Sequence, residues 1–307
     1  PGGGTGGSSI GAAAGIATGT YAARPASPAI GDAYLVTSGV RKGSLYRCSC
    51  TGVWALAELV LPDGLGSSCV ALFDSEDLAI YPTGHGIMRW KNRSPLADGA
   101  TMDLVGRSDS GLAAVTAAGA LSAGLPCATN GAGQTMYGYI PSPASGGNRT
   151  LSVLASYNAP VADSYNHLVA WGASATSQMY SICVKTTLFP AGTVYTAIGN
   201  HYYSAQYTTG YSTSSGASTP ARITARYSSG TDRFYRNGTQ IGTDNTVTIT
   251  HSGIGASFLT LFAIAGSGAI EPPAAGAKVY LVAAWTRALS TDEIATWDAW
   301  LSERHGS

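Results

Sequence analysis

From Pro220 to Gly242 the chain reads PARITARYSSGTDRFYRNGTQIG, with arginines, threonines and tyrosines alternating with apolar positions. A period of two is the pattern of an antiparallel sheet with one face buried. Ser228-Ser229-Gly230 and then Asn237-Gly238 interrupt it. Asn-Gly is the strongest short hairpin signal, because both residues tolerate positive φ. The segment is therefore expected to form three short strands joined by two tight turns. In 277–301, AKVYLVAAWTRALSTDEIATWDAWL, one last buried strand runs into a helix. Ser290 suits an N-cap, Glu293 completes a capping box, and Leu289 and Ile294 flank the cap as a hydrophobic staple. Asp292 and Glu293 at the start and Arg304 and His305 at the end complement the helix dipole. Ile294, Trp297, Trp300 and Leu301 form one apolar stripe, so the helix is expected to lie on a sheet as a lid.

Further strands are expected at 136–140, 150–156, 167–172, 179–185, 193–198, 247–250 and 258–265, separated by Gly, Ser and Asn turns. Short strands at such spacing predict a sandwich. No unit of propeller or solenoid length repeats. The expected fold class is all-β: a two-sheet antiparallel jelly-roll sandwich over 67–290 with one short C-terminal helix, preceded by a small β module. That module spans 21–61, with strands at 34–37, 44–50 and 53–59, and LPDGLG at 61–66 marks the boundary. Some forty residues with few apolar groups bury little surface alone, so the module should pack on its neighbour or self-associate. Residues 1–20, PGGGTGGSSIGAAAGIATGT, read as a flexible Gly-rich leader. The start lacks an initiator Met and any signal-peptide pattern, and suggests a continuation of something longer.

Charged residues make up 11% of the 307, 45% are apolar, and the formal net charge is zero. Bulk electrostatic binding to nucleic acid or an anionic membrane is thereby disfavoured. Arg89, Lys91 and Arg93 around Trp90 are the nearest thing to a basic cluster, and a solvated strand face explains them. No apolar run approaches the ~20 residues that cross a bilayer. Cys48, Cys50, Cys69, Cys127 and Cys183 are odd in number and lack metal-binding spacing, which favours free thiols made in a reducing cytosol.

Catalytic signals are weak. The five histidines are scattered, and the five glutamates (Glu58, Glu76, Glu271, Glu293, Glu303) show no i, i+4 pair. Glycoside hydrolysis needs two carboxylates at a fixed separation, so no catalysis is expected. Asp74, Glu76 and Asp77 are the one acidic cluster, read as a solvated strand end with a calcium corner or a hydrolytic remnant as alternatives; no cofactor is otherwise expected. The stretch that resembles a binding surface is 199–216, GNHYYSAQYTTGYSTSSG. Asn200, His201, Tyr202, Tyr203, Gln206, Tyr207 and Tyr211 combine flat rings for sugar C–H faces with short polar groups for hydroxyls. Aromatic edge strands that pack together, or against another subunit, would show the same pattern. Trp171, Trp285, Trp297 and Trp300 are expected in the core.

Tyr235, Asn237 and Gly238, followed by Arg287, Ala288, Leu289, Ser290, Glu293 and Ile294, resemble the end of a concanavalin-A-like or laminin-G-like jelly roll. Trp90, Asn92 and Ser94 resemble its beginning, so the likeness spans most of 67–307. The module, with Gly31, Asp32, Tyr34, Gly52 and Trp54, resembles small β modules of tailed-phage fibre and spike proteins. These resemblances imply a receptor-binding protein on the surface of a virion or gene transfer agent, made in the bacterial cytoplasm. Its partners would be a bacterial surface polysaccharide, other virion proteins through the N-terminal segment, and copies of itself in a ring or trimer. A depolymerase of that polysaccharide and a purely structural collar subunit are the rival readings.

Overall fold

In the computed structural model, the described residues are 16–97, 102–106, 114–116, 125–129, 135–141, 143, 147–156, 166–172, 179–185, 193–198, 211–212, 220–246, 257–262 and 277–307. They form three sheets and one α-helix. A four-stranded sheet holds β1 (Ile16–Thr20), β2 (Ala33–Ser38), β3 (Ser44–Cys50) and β4 (Val53–Leu59) in that order. The main body is an antiparallel sandwich.

Its central sheet contains β5 (Cys69–Asp74), β8 (Ala114–Thr116), β9 (Cys127–Thr129), β11 (Arg149–Ser156), β16 (Ala221–Ser228), β17 (Thr231–Arg236), β18 (Thr239–Thr246) and β20 (Lys278–Trp285). Its outer sheet contains β6 (Arg89–Trp90), β7 (Leu104–Gly106), β10 (Met136–Ile140), β12 (Asn166–Gly172), β13 (Met179–Lys185), β14 (Thr193–Ile198), β15 (Tyr211–Ser212) and β19 (Ser257–Leu261). The outer order is β15-β14-β13-β12-β19-β10-β7-β6. The antiparallel sandwich read from periodicity is thus present. The terminus of the expected leader is not a linker, however: Ile16–Thr20 adds to β2 as a parallel edge strand.

The hairpins follow from local chemistry. Ser229-Gly230 and Asn237-Gly238 both have positive φ at their two central residues, the geometry that matches strand twist. Gly238 has a φ of +75°, and a Cβ there would also crowd Asp298 on the terminal helix, lying 3.1 Å from its carboxylate, so that side chain would have to shift. That helix, α1 (Thr291–His305), starts on the capping box of Ser290 and Glu293 and ends on left-handed Gly306. Arg287 holds Glu293 through two bonds of 2.7 and 2.6 Å, which ties the cap to the preceding strand.

The sandwich has two apolar layers. Phe73, Trp90, Met136, Ile140, Val153, Trp171, Tyr180, Leu259 and Val282 fill the space between the sheets. The other face of the central sheet offers Leu72, Leu154, Tyr235, Leu281 and Trp285 to Ile294, Trp297, Trp300 and Leu301 of α1. Strands β11 and β20 are therefore buried on both sides, and KVYLVAAW reads as a continuous apolar run for that reason. Leu59, Leu65 and the partly buried Leu56 and Leu61 extend this second layer, so the small sheet packs on the sandwich.

Trp90, Asn92 and Ser94 work as a clamp on β5. The Asn92 carbonyl accepts from Leu72 N–H at 2.9 Å and its amide donates to the Val70 carbonyl at 3.0 Å. The Trp90 indole N–H donates to the Asp74 carbonyl at 2.8 Å. Side chains thus satisfy backbone groups that a ladder would otherwise have to pair.

All five cysteines are free thiols, and Cys50 alone of them is exposed. Burial pushes the Cys69 thiol up to about 12 and that of Cys127 up to about 11. One thiol of the five should react quickly with an aromatic disulfide reagent in the native protein and all five in denaturant, with Cys50→Ser abolishing the native reaction. Two or more fast native thiols would contradict this arrangement.

Candidate functional site

Asp74 and Glu76 are neither a solvated strand end nor an open cation corner, and that expectation is corrected. Asp74 is fully buried at the end of β5, and Glu76 is 6% exposed in the 3-10 turn that follows. Arg304 of α1, itself fully buried, donates to Asp74 at 2.8 Å and to Glu76 at 2.8 Å. His305 Nε2 lies 3.1 Å from the same Asp74 oxygen. Ser44 Oγ donates to Glu76 at 2.6 Å, Tyr46 Oη also reaches Glu76, and Arg41 adds a longer contact at 3.4 Å. Burial alone would raise the Asp74 carboxyl. The charges of Arg304 and His305, with their hydrogen bonds, outweigh it and hold that carboxyl well below the usual carboxylate range. Both carboxylates are consumed in joining the small sheet, the central sheet and the helix.

Of the tyrosine-rich segment, Asn200, His201, Tyr202, Tyr203, Gln206 and Tyr207 lie outside the described residues. Tyr211 opens β15, which pairs with β14 at one edge of the outer sheet (Val194 opposite Tyr211).

Toward the other edge, the solvent side of the outer sheet carries a surface that periodicity pointed to only in part. In β10, Met136 and Ile140 join the core while Tyr137 and Tyr139 face away from it. Tyr139 is 45% exposed and packs on the half-buried Phe258 of β19, its direct cross-strand partner, with ring centroids 4.5 Å apart. Tyr137 stands opposite Thr260 on one side and Val105 on the other, and Val105 stands opposite Arg89. One row of side chains thus runs Arg89, Val105, Tyr137, Thr260 across four strands. The alternation of MYGYI indicated which residues face out; that Phe258 sits beside Tyr139 depended on strand pairing.

Next to Arg89 lies a groove of about 490 Å³ between the small sheet and the sandwich, lined by Glu58, Arg89, Lys91, Arg93 and Asp103 among others. Arg93 is spent there, since its guanidinium is paired with Asp77 and donates to the Ala57 carbonyl at 2.9 Å. Burial raises the Asp77 carboxyl, and Arg93 opposes that shift. A second cleft, of about 530 Å³, lies between the small sheet and α1, with Lys42, Asp63, Trp300 and Glu303 on its walls. Its Lys42–Glu303 pair is closed at 2.7 Å. Among the described residues, no group of three or more His, Cys, Asp or Glu side chains is arranged to hold a metal ion.

No protein-family model matches this chain. No curated protein matches it in sequence either. Solved structures do resemble it. Domain 4 of the extracellular arabinanase AbnA from Geobacillus stearothermophilus, in complex with arabinotriose, is 13% identical over 75% of this chain and 98% of that domain, with a TM-score of 0.49. Trypanosoma rangeli sialidase in complex with sialic acid is 13% identical over 81% of this chain and 36% of the sialidase, with a TM-score of 0.48. Botulinum neurotoxin type C, which interacts with two ganglioside molecules, is 12% identical over 77% of this chain and 52% of that one, with a TM-score of 0.48. The chain thus spans about a third of the sialidase's length. At these identities the likeness is one of fold. The expectation that the chain is no enzyme is corrected: sialidases stand among the similar structures, and at these identities and TM-scores they neither assign an activity to this chain nor exclude one. The physical reason is that a sheet can bring carboxylates from separate strands and loops together, so the lack of an i, i+4 glutamate pair does not argue against catalysis.

Proposed function

We propose that this protein is a glycan-recognition domain, and more specifically a virion receptor-binding protein that engages a bacterial surface polysaccharide. The observation that carries the glycan reading is the half-exposed Tyr139–Phe258 pair on the solvent side of the outer sheet, in a chain with little charge. Rings held side by side by strand pairing offer flat apolar faces to sugar C–H groups at low entropic cost, and the tyrosine hydroxyl can bond to sugar oxygens. The segment containing Asn200, Tyr203 and Tyr207 is proposed as a second contact region of the same chemistry.

The phage-particle reading is supported by the motifs of the small module. Its tip also exposes Ile30 (68%) and Val53 (52%), apolar groups suited to contact with another protein of the particle. A ring or trimer remains part of this proposal, since several weak sugar sites gain from simultaneous attachment.

The test is a glycan array together with adsorption to bacterial cells. Tyr139→Ala should weaken one site by ~1 kcal/mol, about fivefold, and Phe258→Ala by a similar amount. Adsorption should fall further than single-site affinity if several sites engage one surface. Failure of the unmodified protein to bind any glycan or cell would refute the reading. Undiminished binding by the double variant would move the site to 199–216, where Tyr203→Ala with Tyr207→Ala is the corresponding test.

A further inference from the structure

Resting on the glycan reading, we infer that the ligand is an acidic saccharide whose carboxylate is held by Lys91 and Arg89 at the mouth of the groove beside the aromatic row. Trp90 is buried in the core, so the alternate residues Arg89 and Lys91 project to the solvent side of the outer sheet, where both are exposed. Tyr137, Tyr139 and Phe258 project to that same side. The basic and aromatic groups are therefore continuous through Val105, which lies opposite both Arg89 and Tyr137.

The charges in the groove are divided by depth. Asp103 has a side chain only 2% exposed and is engaged from within, by Arg89 Nε and by the Asn92 N–H at 2.7 Å. Asp77 and Arg93 neutralise each other, with side chains 11% and 9% exposed. At the surface, the Arg89 side chain is 52% exposed, and its contact with Asp103 is made through Nε, so the terminal nitrogens are not used in that pair. Lys91 makes no ion pair among the described residues. Among the described residues, the exposed Glu58 is the one carboxylate on the rim, and it can accept hydrogen bonds from sugar hydroxyls. Outward cations above inward carboxylates suit an anion that also carries hydroxyls. An aromatic strip alongside suits the apolar faces of the neighbouring sugar rings. The zero net charge of the chain gives no long-range attraction, so recognition would depend on this local arrangement.

The probes are uronic-acid oligosaccharides from alginate and hyaluronan, each compared with its carboxyl-reduced form by titration calorimetry on the whole protein. The unmodified protein should bind at least one acidic form more tightly than its reduced counterpart, and the difference should shrink as salt is raised. Lys91→Gln should weaken binding of the acidic form roughly three- to fivefold and Lys91→Glu roughly tenfold, while binding of the reduced form stays constant. Lys91→Arg should restore most of the preference. Lys91 is exposed, so these substitutions leave the core intact, and Arg89→Gln serves as the second site. Equal binding of the acidic and reduced forms would overturn the inference and leave the glycan reading standing, as would a preference untouched by Lys91→Glu. Absence of binding to every saccharide, neutral or acidic, would remove the glycan reading and the inference with it. Tight salt-sensitive binding to a single-stranded DNA oligomer with none to the saccharides would assign the cations to phosphate instead.

Discussion

Replacing Arg304 with methionine should destabilise the protein by about 3–5 kcal/mol, the range for breaking a buried ion pair by removing one partner. Arg304 is fully buried, and its loss strands Asp74 and Glu76 in a region of low polarity. Asp74 would retain His305 and Glu76 would retain Ser44, Tyr46 and Arg41, which places the effect within that range rather than above it. The triple change Arg304→Met, Asp74→Asn, Glu76→Gln should be much less damaging than the single one, because it removes the uncompensated charges. Chemical denaturation monitored by tryptophan fluorescence would decide this. A single substitution costing under about 1 kcal/mol would show that the network contributes little.

The same network sets an acid limit. The folded-state value of Asp74 lies below its unfolded value, so its contribution is fully present above the ordinary carboxylate range and is lost as pH falls through and below that range. The Asp74 contribution should therefore be constant above about pH 5, and stability should fall as pH drops below about 4. In the triple variant that fall should be shallower. An acid transition of equal depth in both proteins would place the responsible carboxylates elsewhere.

Trp297→Ala should cost about 3–5 kcal/mol, as expected for deleting a buried tryptophan. Its indole packs edge-on against Trp285 with centroids 5.0 Å apart and stacks on Trp300 at 5.1 Å. Its N–H donates to Ser152 Oγ at 2.9 Å within β11. Truncation would open a cavity between helix and sheet and weaken the attachment of α1, on which Arg304 is mounted. For a chain of this size the melting temperature should drop by roughly 5–8 °C. Trp297→Phe should recover most of the packing and little of the hydrogen bond, so a loss near 1–2 kcal/mol is expected. A drop below about 2 °C for Trp297→Ala would mean that the lid contributes little to the sandwich.

What could be read from the chain alone is what depends on neighbours within a few residues. The turns at Ser229-Gly230 and Asn237-Gly238, the capping box of Ser290 and Glu293 and the stripe of Ile294, Trp297 and Leu301 are all present. Each is set by φ preferences, by hydrogen bonds three residues apart or by the period of the element, so each leaves a local signature. The acidic run at 74–77 shows the limit. Its partner Arg304 is 230 positions from Asp74, and to local reading it was only a cation at a helix end. Likewise Arg89, Tyr137 and Phe258 belong to separate strands, and nothing near any one of them names the other two. Strand order and register placed them on one face, and in a sheet a shift of one residue would have turned the same side chains to the opposite side. The surface proposed to meet a glycan was therefore decided by the pairing of the outer sheet, while its ingredients, low charge and abundant tyrosine, were already written along the chain.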